Sequence, residues 1–346
     1  MSYNDDVLDR IFMITERVIV FDGLDDIFSH IVKTAIALTK ADAVTIRVFD
    51  IETGFLEIVK SSGVEKSFIS QPSIRVGEGL IGTAVYEGKP FSTNDVTKES
   101  LCKNADLAKS EGIKSMMCVP MNSKESTIGC ITVYRKTNKA FADHDLMLLS
   151  IFSAEAVEAV EKAKLITELK KQATFDPLTG LFNKRAITDK LKVEIDRSKR
   201  HKQSLAVLFI DLDDFKPYND THGHLMGDKL LHDFTSVLRK HCRMVDIMGR
   251  FGGDEFIIIA PQSDLSGATA LAEKLRKEVG DYAFISSKVN QDFRTTCSIG
   301  IAMFPAHSDH YEDLMNKADH ALYASKRKGR NKVSIWEDKE SLTETE

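Results

Sequence analysis

The chain has 346 residues, more than a single hydrophobic core usually serves, so two domains are the starting expectation. Its 42% hydrophobic and 29% charged content is that of a folded protein in water, apart from a polar tail over 338–346. A net charge of −5 offers no general field for a nucleic-acid polymer or an anionic membrane, so any anionic ligand must be small and held by local cations.

No run of about 18 apolar residues occurs, and the N-terminus is polar and acidic, which sets the expectation of a cytoplasmic protein without a membrane span. Cys102, Cys118, Cys130, Cys242 and Cys297 are odd in number and lack CxxC spacing. Three of them lie in apolar, strand-like stretches and read as packing residues.

Apolar residues fall at helical spacing from Val7 to Val18 and, after a break at Asp22-Gly23, from Leu24 to Leu38. Strand patterns follow at 43–49 and 55–60, joined by a loop ending in Gly54, and again at 116–121 and 128–134. The expectation is an antiparallel sheet flanked by helices. Between these pairs lie Gly77, Gly79, Gly82 and Gly88-Lys89-Pro90, leading into a short helix and out of it.

With those glycines and the runs 115–120 and 129–134, residues 20–160 resemble a GAF domain. The resemblance implies a small-molecule sensor or a dimerisation module, with an unknown small molecule held between sheet and helices. Asn138-Lys139, Phe141 and Asp145 partly match the signature of cyclic-nucleotide-binding GAF domains, but Leu146 stands where that signature has Glu. Those residues equally serve to start and cap the next helix.

From Asp145 to Lys171 there is no Gly or Pro, and Leu149, Phe152, Ala156, Ala159, Ala163 and Ile166 alternate steps of three and four. About 26 helical residues make a rod of about 39 Å, longer than one face of a small domain. Its second half is expected to project and pair with another copy; the competing reading is an amphipathic helix packed on its own domain.

Asp176-Pro-Leu-Thr-Gly180 ends the rod. Residues 205–212 form an uninterrupted apolar strand ending in acids, the pattern of a strand covered on both faces that delivers Asp211 to the sheet edge. A turn-rich stretch, 218–228, leads into a helix. Two apolar runs, 245–251 and 256–260, then flank Gly252-Gly253-Asp254-Glu255, which reads as a hairpin whose tip carries hard oxygen ligands of the kind Mg²⁺ takes. Alone, that tip is equally a solvated turn. A helix over 265–279, a strand over 295–303, a helix over 313–327 closed by Gly329, and a strand over 333–336 complete the pattern.

Five blocks, 176–185, 211–228, 243–246, 250–256 and 321–331, resemble the GGDEF family of diguanylate cyclases in its own order, over residues 172–337. The fold class expected for the whole chain is α+β. It comprises a GAF-like antiparallel sheet with helices (1–144), a coiled-coil helix (145–171) and a palm-like, ferredoxin-like domain related to nucleotidyl cyclases (172–337).

The resemblance implies condensation of two GTP into cyclic di-GMP, with two Mg²⁺ per site and Mn²⁺ as an alternative. It gives Asp211, Asp254, Glu255 and the Leu212 carbonyl as metal ligands, with Asp254 and Glu255 catalytic. Phe215 and Lys216 would meet the β and γ phosphates, Lys326 and Arg330 the terminal phosphate, Asn219 and Asp228 the guanine, and Gly253 would also contact GTP. Arg243 and Asp246 would form an inhibitory site for cyclic di-GMP.

Asp213 and Asp214 read as solvated or loop-capping acids, and His222 and His224 as turn hydrogen-bonders. A two-fold symmetric product requires two such domains, so a homodimer through the coiled coil is expected. Two alternatives stay open: a catalytically silent receptor for cyclic di-GMP, and a cyclase making a mixed-base product.

Overall fold

The computed structural model describes residues 23–70, 72–96, 98, 105–124, 126–137, 139–282, 284–286 and 291–337. The helix expected over Val7 to Val18, Cys102, Asn138 and the tail 338–346 lie outside the described residues. The chain divides between Glu168 and Leu169 into two compact units.

The first unit begins with α1 (Leu24–Thr39), β1 (Ala43–Asp50), β2 (Phe55–Ser62), α2 (Lys66–Ile69), β3 (Ile74–Arg75) and α3 (Gly79–Glu87). It continues with β4 (Phe91–Thr93), α4 (Ala105–Ser110), β5 (Ser115–Asn122) and β6 (Thr127–Arg135), and enters α5 (Asp143–Thr174). The six strands form one antiparallel sheet in the order β3-β2-β1-β6-β5-β4.

Side chains alternate across the pleat, so each strand serves two cores. Val44, Ile46, Met117, Val119, Ile131 and Val133 pack with Ile27, Ile31 and Ala35 of α1 and with Leu149, Phe152, Ala156 and Val160 of α5. On the other face, Leu56, Met116, Cys118, Cys130 and Tyr134 meet Phe68 of α2 and Leu80, Ala84 and Val85 of α3.

The two halves of the rod differ. Leu149, Phe152 and Ala156 of the expected seam are buried in their own domain's core, while Leu165, Ile166 and Leu169 are exposed at 61%, 43% and 55%. A heptad reports an apolar stripe and not which partner covers it.

The second unit follows with α6 (Lys184–His201), β7 (Leu205–Leu212), α7 (Phe215–His222), α8 (His224–His241), β8 (Ile247–Gly252) and β9 (Glu255–Pro261). Then come α9 (Leu265–Asp281), β10 (Phe284–Ser286), β11 (Gln291–Phe293), β12 (Cys297–Phe304), α10 (Tyr311–Arg327) and β13 (Val333–Ile335). Five strands form a sheet in the order β13-β12-β7-β9-β8, antiparallel except for β12 with β13. The β10-β11 hairpin stands apart from it.

β7 is buried along its whole length because both sheet faces are covered. Leu208, Ile210, Phe256 and Ile258 pack under α8 and α9. Val207, Phe209, Ile257 and Ile259 pack under α6 and α10. Gly300 of β12 sets the seat of α10, since a Cβ there would lie 2.1 Å from Leu322 N and 2.2 Å from Ala318 O.

Candidate active site

The site lies where β7, β9 and α10 meet. Asp211 is the cross-strand partner of Glu255 on β9 and of Ser298 on β12. Its parity along β7 is that of Val207 and Phe209, so it faces the α10 side of the sheet. From α10, Lys326 Nζ reaches Asp211 Oδ2 at 2.7 Å.

Asp211 is 5% exposed. Burial, only partly offset by Lys326 and reinforced by the nearby charges of Asp254 and Glu255, pushes its carboxyl up to about 6.

β8 and β9 are joined through Gly253-Asp254, with Gly252 paired to Glu255 and a register shift after Arg250. Neither Gly252 nor Gly253 needs positive φ, so the turn's conformation does not explain the pair. Space does so in part: a Cβ at Gly252 would lie 3.0 Å from Glu255 Oε2, while Gly253 faces open space. The Asp254 carbonyl accepts from Leu212 N at 3.3 Å, which ties the turn to the end of β7.

A brace that the sequence did not reveal holds this turn. Arg250 donates from Nε and Nη2 to the Gly253 carbonyl at 3.0 and 2.7 Å, and its Nη1 pairs with Asp176 at 3.2 Å. Asp176 also accepts from Thr179 N and Oγ1. These bonds, with the Arg250 guanidinium, outweigh burial and hold the Asp176 carboxyl below its ordinary value. The usable signal was Asp176 and Arg250 standing in two motif blocks of opposite charge with no ligand assigned to either.

Of the two expectations for Asp213, a solvated or a loop-capping acid, the structure sets the first aside. It is 5% exposed, not solvated, and accepts from Thr296 Oγ1 at 2.6 Å, Ser298 Oγ at 2.8 Å and Asn331 N at 2.9 Å. It fastens the end of β7 to β12 and to the segment after α10. Asp214 is exposed, sits at φ 58° before α7, and faces Arg330 Nε at 3.5 Å. Phe215 and Lys216 open α7, where the first N–H groups of a helix lack intrahelical acceptors. The His222 ring lies 4.6 Å from the Tyr218 ring.

Asn219 of α7 is packed against Gly227 of α8, the residue before exposed Asp228; a Cβ on Gly227 would fall 1.8 Å from Asn219 Oδ1. That Oδ1 is buried and has no hydrogen-bond partner. Arg243 and Asp246 lie between α8 and β8, apart from the hairpin tip, with Arg243 N donating to Asp246 Oδ2 at 2.7 Å. Asp246 Oδ1 is buried and unpartnered, and burial pushes this carboxyl up.

Among the described residues no three His, Cys, Asp or Glu side chains form a ready metal cage. The donor set nonetheless fits Mg²⁺, which takes one or two carboxylates and completes its shell with water and substrate phosphates. Asp211, crowded by two further acids and short of water, is a carboxylate that a divalent cation would stabilise.

Residues 173–332 match the family model described as diguanylate cyclase, GGDEF domain. Over 54% of this chain and 98% of its own length, the solved structure of the coiled coil and GGDEF domain of DgcB from Caulobacter crescentus is similar, at 30% identity and a TM-score of 0.50.

The chain belongs to the GGDEF family.

Ahead of its GGDEF domain, residues 22–161 match the GAF domain model. The GGDEF chain is 38% identical over 167 residues to diguanylate cyclase DosC of Escherichia coli K12, covering 48% of this chain and 36% of DosC. It is 27% identical over 326 residues to diguanylate cyclase A of Treponema denticola, covering 92% and 85%. The chain spans about a quarter to a third of the length of the first curated relatives it matches. Among the described residues no helix is long and apolar enough to cross a membrane.

Proposed function

We propose that this GGDEF chain is a diguanylate cyclase, joining two GTP molecules into cyclic di-GMP with release of two pyrophosphates. The observation that carries the reading is the pairing of Asp211 with Glu255 across adjacent strands, beside the Gly253-Asp254 turn and within reach of Lys326. Linking a 3′-hydroxyl to an α-phosphate needs triphosphate charge neutralised and the hydroxyl's proton affinity lowered, which Mg²⁺ or Mn²⁺ supplies when bound. Asp211, Asp254, Glu255 and the Leu212 carbonyl would hold it.

The chain's own groups do the rest. The N-terminal N–H groups of α7 at Phe215 and Lys216, with the Lys216 charge, cradle the β and γ phosphates. The open space at Gly253 admits the nucleotide close to the backbone. Lys326 and Arg330 bring positive charge to the terminal phosphate. Asn219 and Asp228 read guanine, a carboxylate accepting from N1 and N2 hydrogens that adenine lacks.

One site serves one GTP, so two chains must meet, and the exposed Leu165, Ile166 and Leu169 of α5 supply an apolar stripe for a homodimer. The GAF domain would bias how the two catalytic domains meet. Arg243 and Asp246 would take cyclic di-GMP as an inhibitor, the exposed Arg243 offering its guanidinium to a phosphate or to the guanine edge.

Incubation with Mg²⁺ and labelled GTP, ATP or both, followed by product identification, tests the proposal. Cyclic di-GMP from GTP alone is expected. No cyclic dinucleotide from GTP would overturn it, and incorporated adenine would overturn the guanine-reading roles.

A further inference from the structure

The GAF domain buries a charge that takes no part in the GGDEF site. Arg47 stands within β1, on the sheet face covered by α2 and α3, and is 4% exposed. Its Nη1 donates to Thr45 Oγ1 at 2.7 Å and to the Tyr134 hydroxyl at 3.4 Å, and those two oxygens lie 3.1 Å apart. Nε and Nη2, which share the guanidinium's other edge, donate to nothing among the described residues. The ionisable groups acting on it are Tyr134, Cys130 and Cys118, none of them a carboxylate.

A buried cation without a counter-charge is costly, and arginine, unlike lysine, cannot shed its proton to escape. Arg47 also lines a recess of about 200 Å³ with Leu56, Ile58, Ile69, Pro72 and Ile74, and with the polar Ser73 and exposed Glu57. The unused guanidinium edge, a lining that adds the apolar side chains of Leu56, Ile58 and Ile74 to polar surface, and the small volume point to one ligand chemistry.

We propose that this recess binds a small organic monocarboxylate. Its two oxygens take the Nε and Nη2 edge of Arg47 as a bidentate pair, and its short apolar chain lies against Leu56, Ile58 and Ile74. The recess is smaller than the roughly 300–1,000 Å³ of pockets for drug-sized molecules, which admits a short-chain acid and excludes a nucleotide. Glu57 disfavours ligands of higher negative charge. The inference is independent of the cyclase reading, because it is tested by binding alone.

The full chain, freed of carboxylate buffers, would be titrated calorimetrically with a series from acetate to hexanoate, with butyramide and with inorganic phosphate. Binding of a monocarboxylate but not of butyramide is expected. Arg47→Met should weaken it roughly tenfold to a hundredfold. Because that substitution removes an uncompensated buried charge, it should leave the ligand-free thermal transition unchanged or raised.

Ile58→Phe keeps Arg47 but fills the recess, and should abolish the response. The proposal is overturned if no acid of the series binds, if only phosphate binds, or if either variant binds as the wild type does.

Discussion

Asp211→Asn should inactivate the protein and stabilise its fold, and the two effects have one cause. Burial moves this carboxyl from an ordinary 3.8 to about 6. At about 1.36 kcal/mol per pH unit, that gap is about 3 kcal/mol against the folded state wherever Asp211 is ionised. The penalty is absent below about pH 3.8, where the carboxyl is protonated folded or unfolded, grows as pH rises, and is complete above about 6. Wild-type stability therefore falls through that window, and Asn at 211 should remove the fall.

Lys326 loses its partner in the variant but keeps 35% of its side chain exposed, so water can take over. Thermal unfolding in EDTA should place Asp211→Asn up to about 6–12 °C above wild type at pH 8, with no gain at pH 3.5. A variant less stable than wild type at pH 8, or equally shifted at both pH values, would refute the reasoning.

Arg250→Ala removes the brace from Asp176 to the Gly253 carbonyl, and should cost about 2–3 kcal/mol in urea unfolding and at least tenfold in cyclase turnover. Asp213→Ala leaves Thr296, Ser298 and Asn331 N without their acceptor, and should destabilise by about 3 kcal/mol by calorimetry. Gly227→Ala displaces Asn219, so KM for GTP should rise about tenfold or more while circular dichroism stays native. Arg243→Ala should keep its initial rate when cyclic di-GMP is added, whereas wild type should slow; equal responses in product-inhibition assays would remove the inhibitory site.

The motifs that identify the GGDEF domain are legible because each is local: an apolar strand ending in Asp211, and a glycine pair followed by two acids. What acts on those acids is not local. Asp213 read as a solvated or loop-capping acid because it follows the apolar strand in a run of acids, while its partners Thr296 and Ser298 arrive at and within β12 from far along the chain. Lys326 was legible as a cation at the end of a helix, but its ion pair with Asp211 is made only by the fold. The stripe on α5 was legible as a stripe, but only the fold assigns Leu149 and Phe152 to the GAF core and leaves Leu165 and Leu169 outside it. Arg47 carried no signal, since a lone cation in a strand pattern gives no hint of burial.

Gly300 illustrates how far such dependence extends. With no Cβ at that point, α10 lies against β12 with its backbone nearly touching the strand. The position of Lys326 is thereby fixed by the backbone, and the lysine need not stretch to meet Asp211. A methyl group at 300 would push the helix outward and act as a spacer on the acidic site, lengthening the lysine's reach without altering any residue that a ligand would touch.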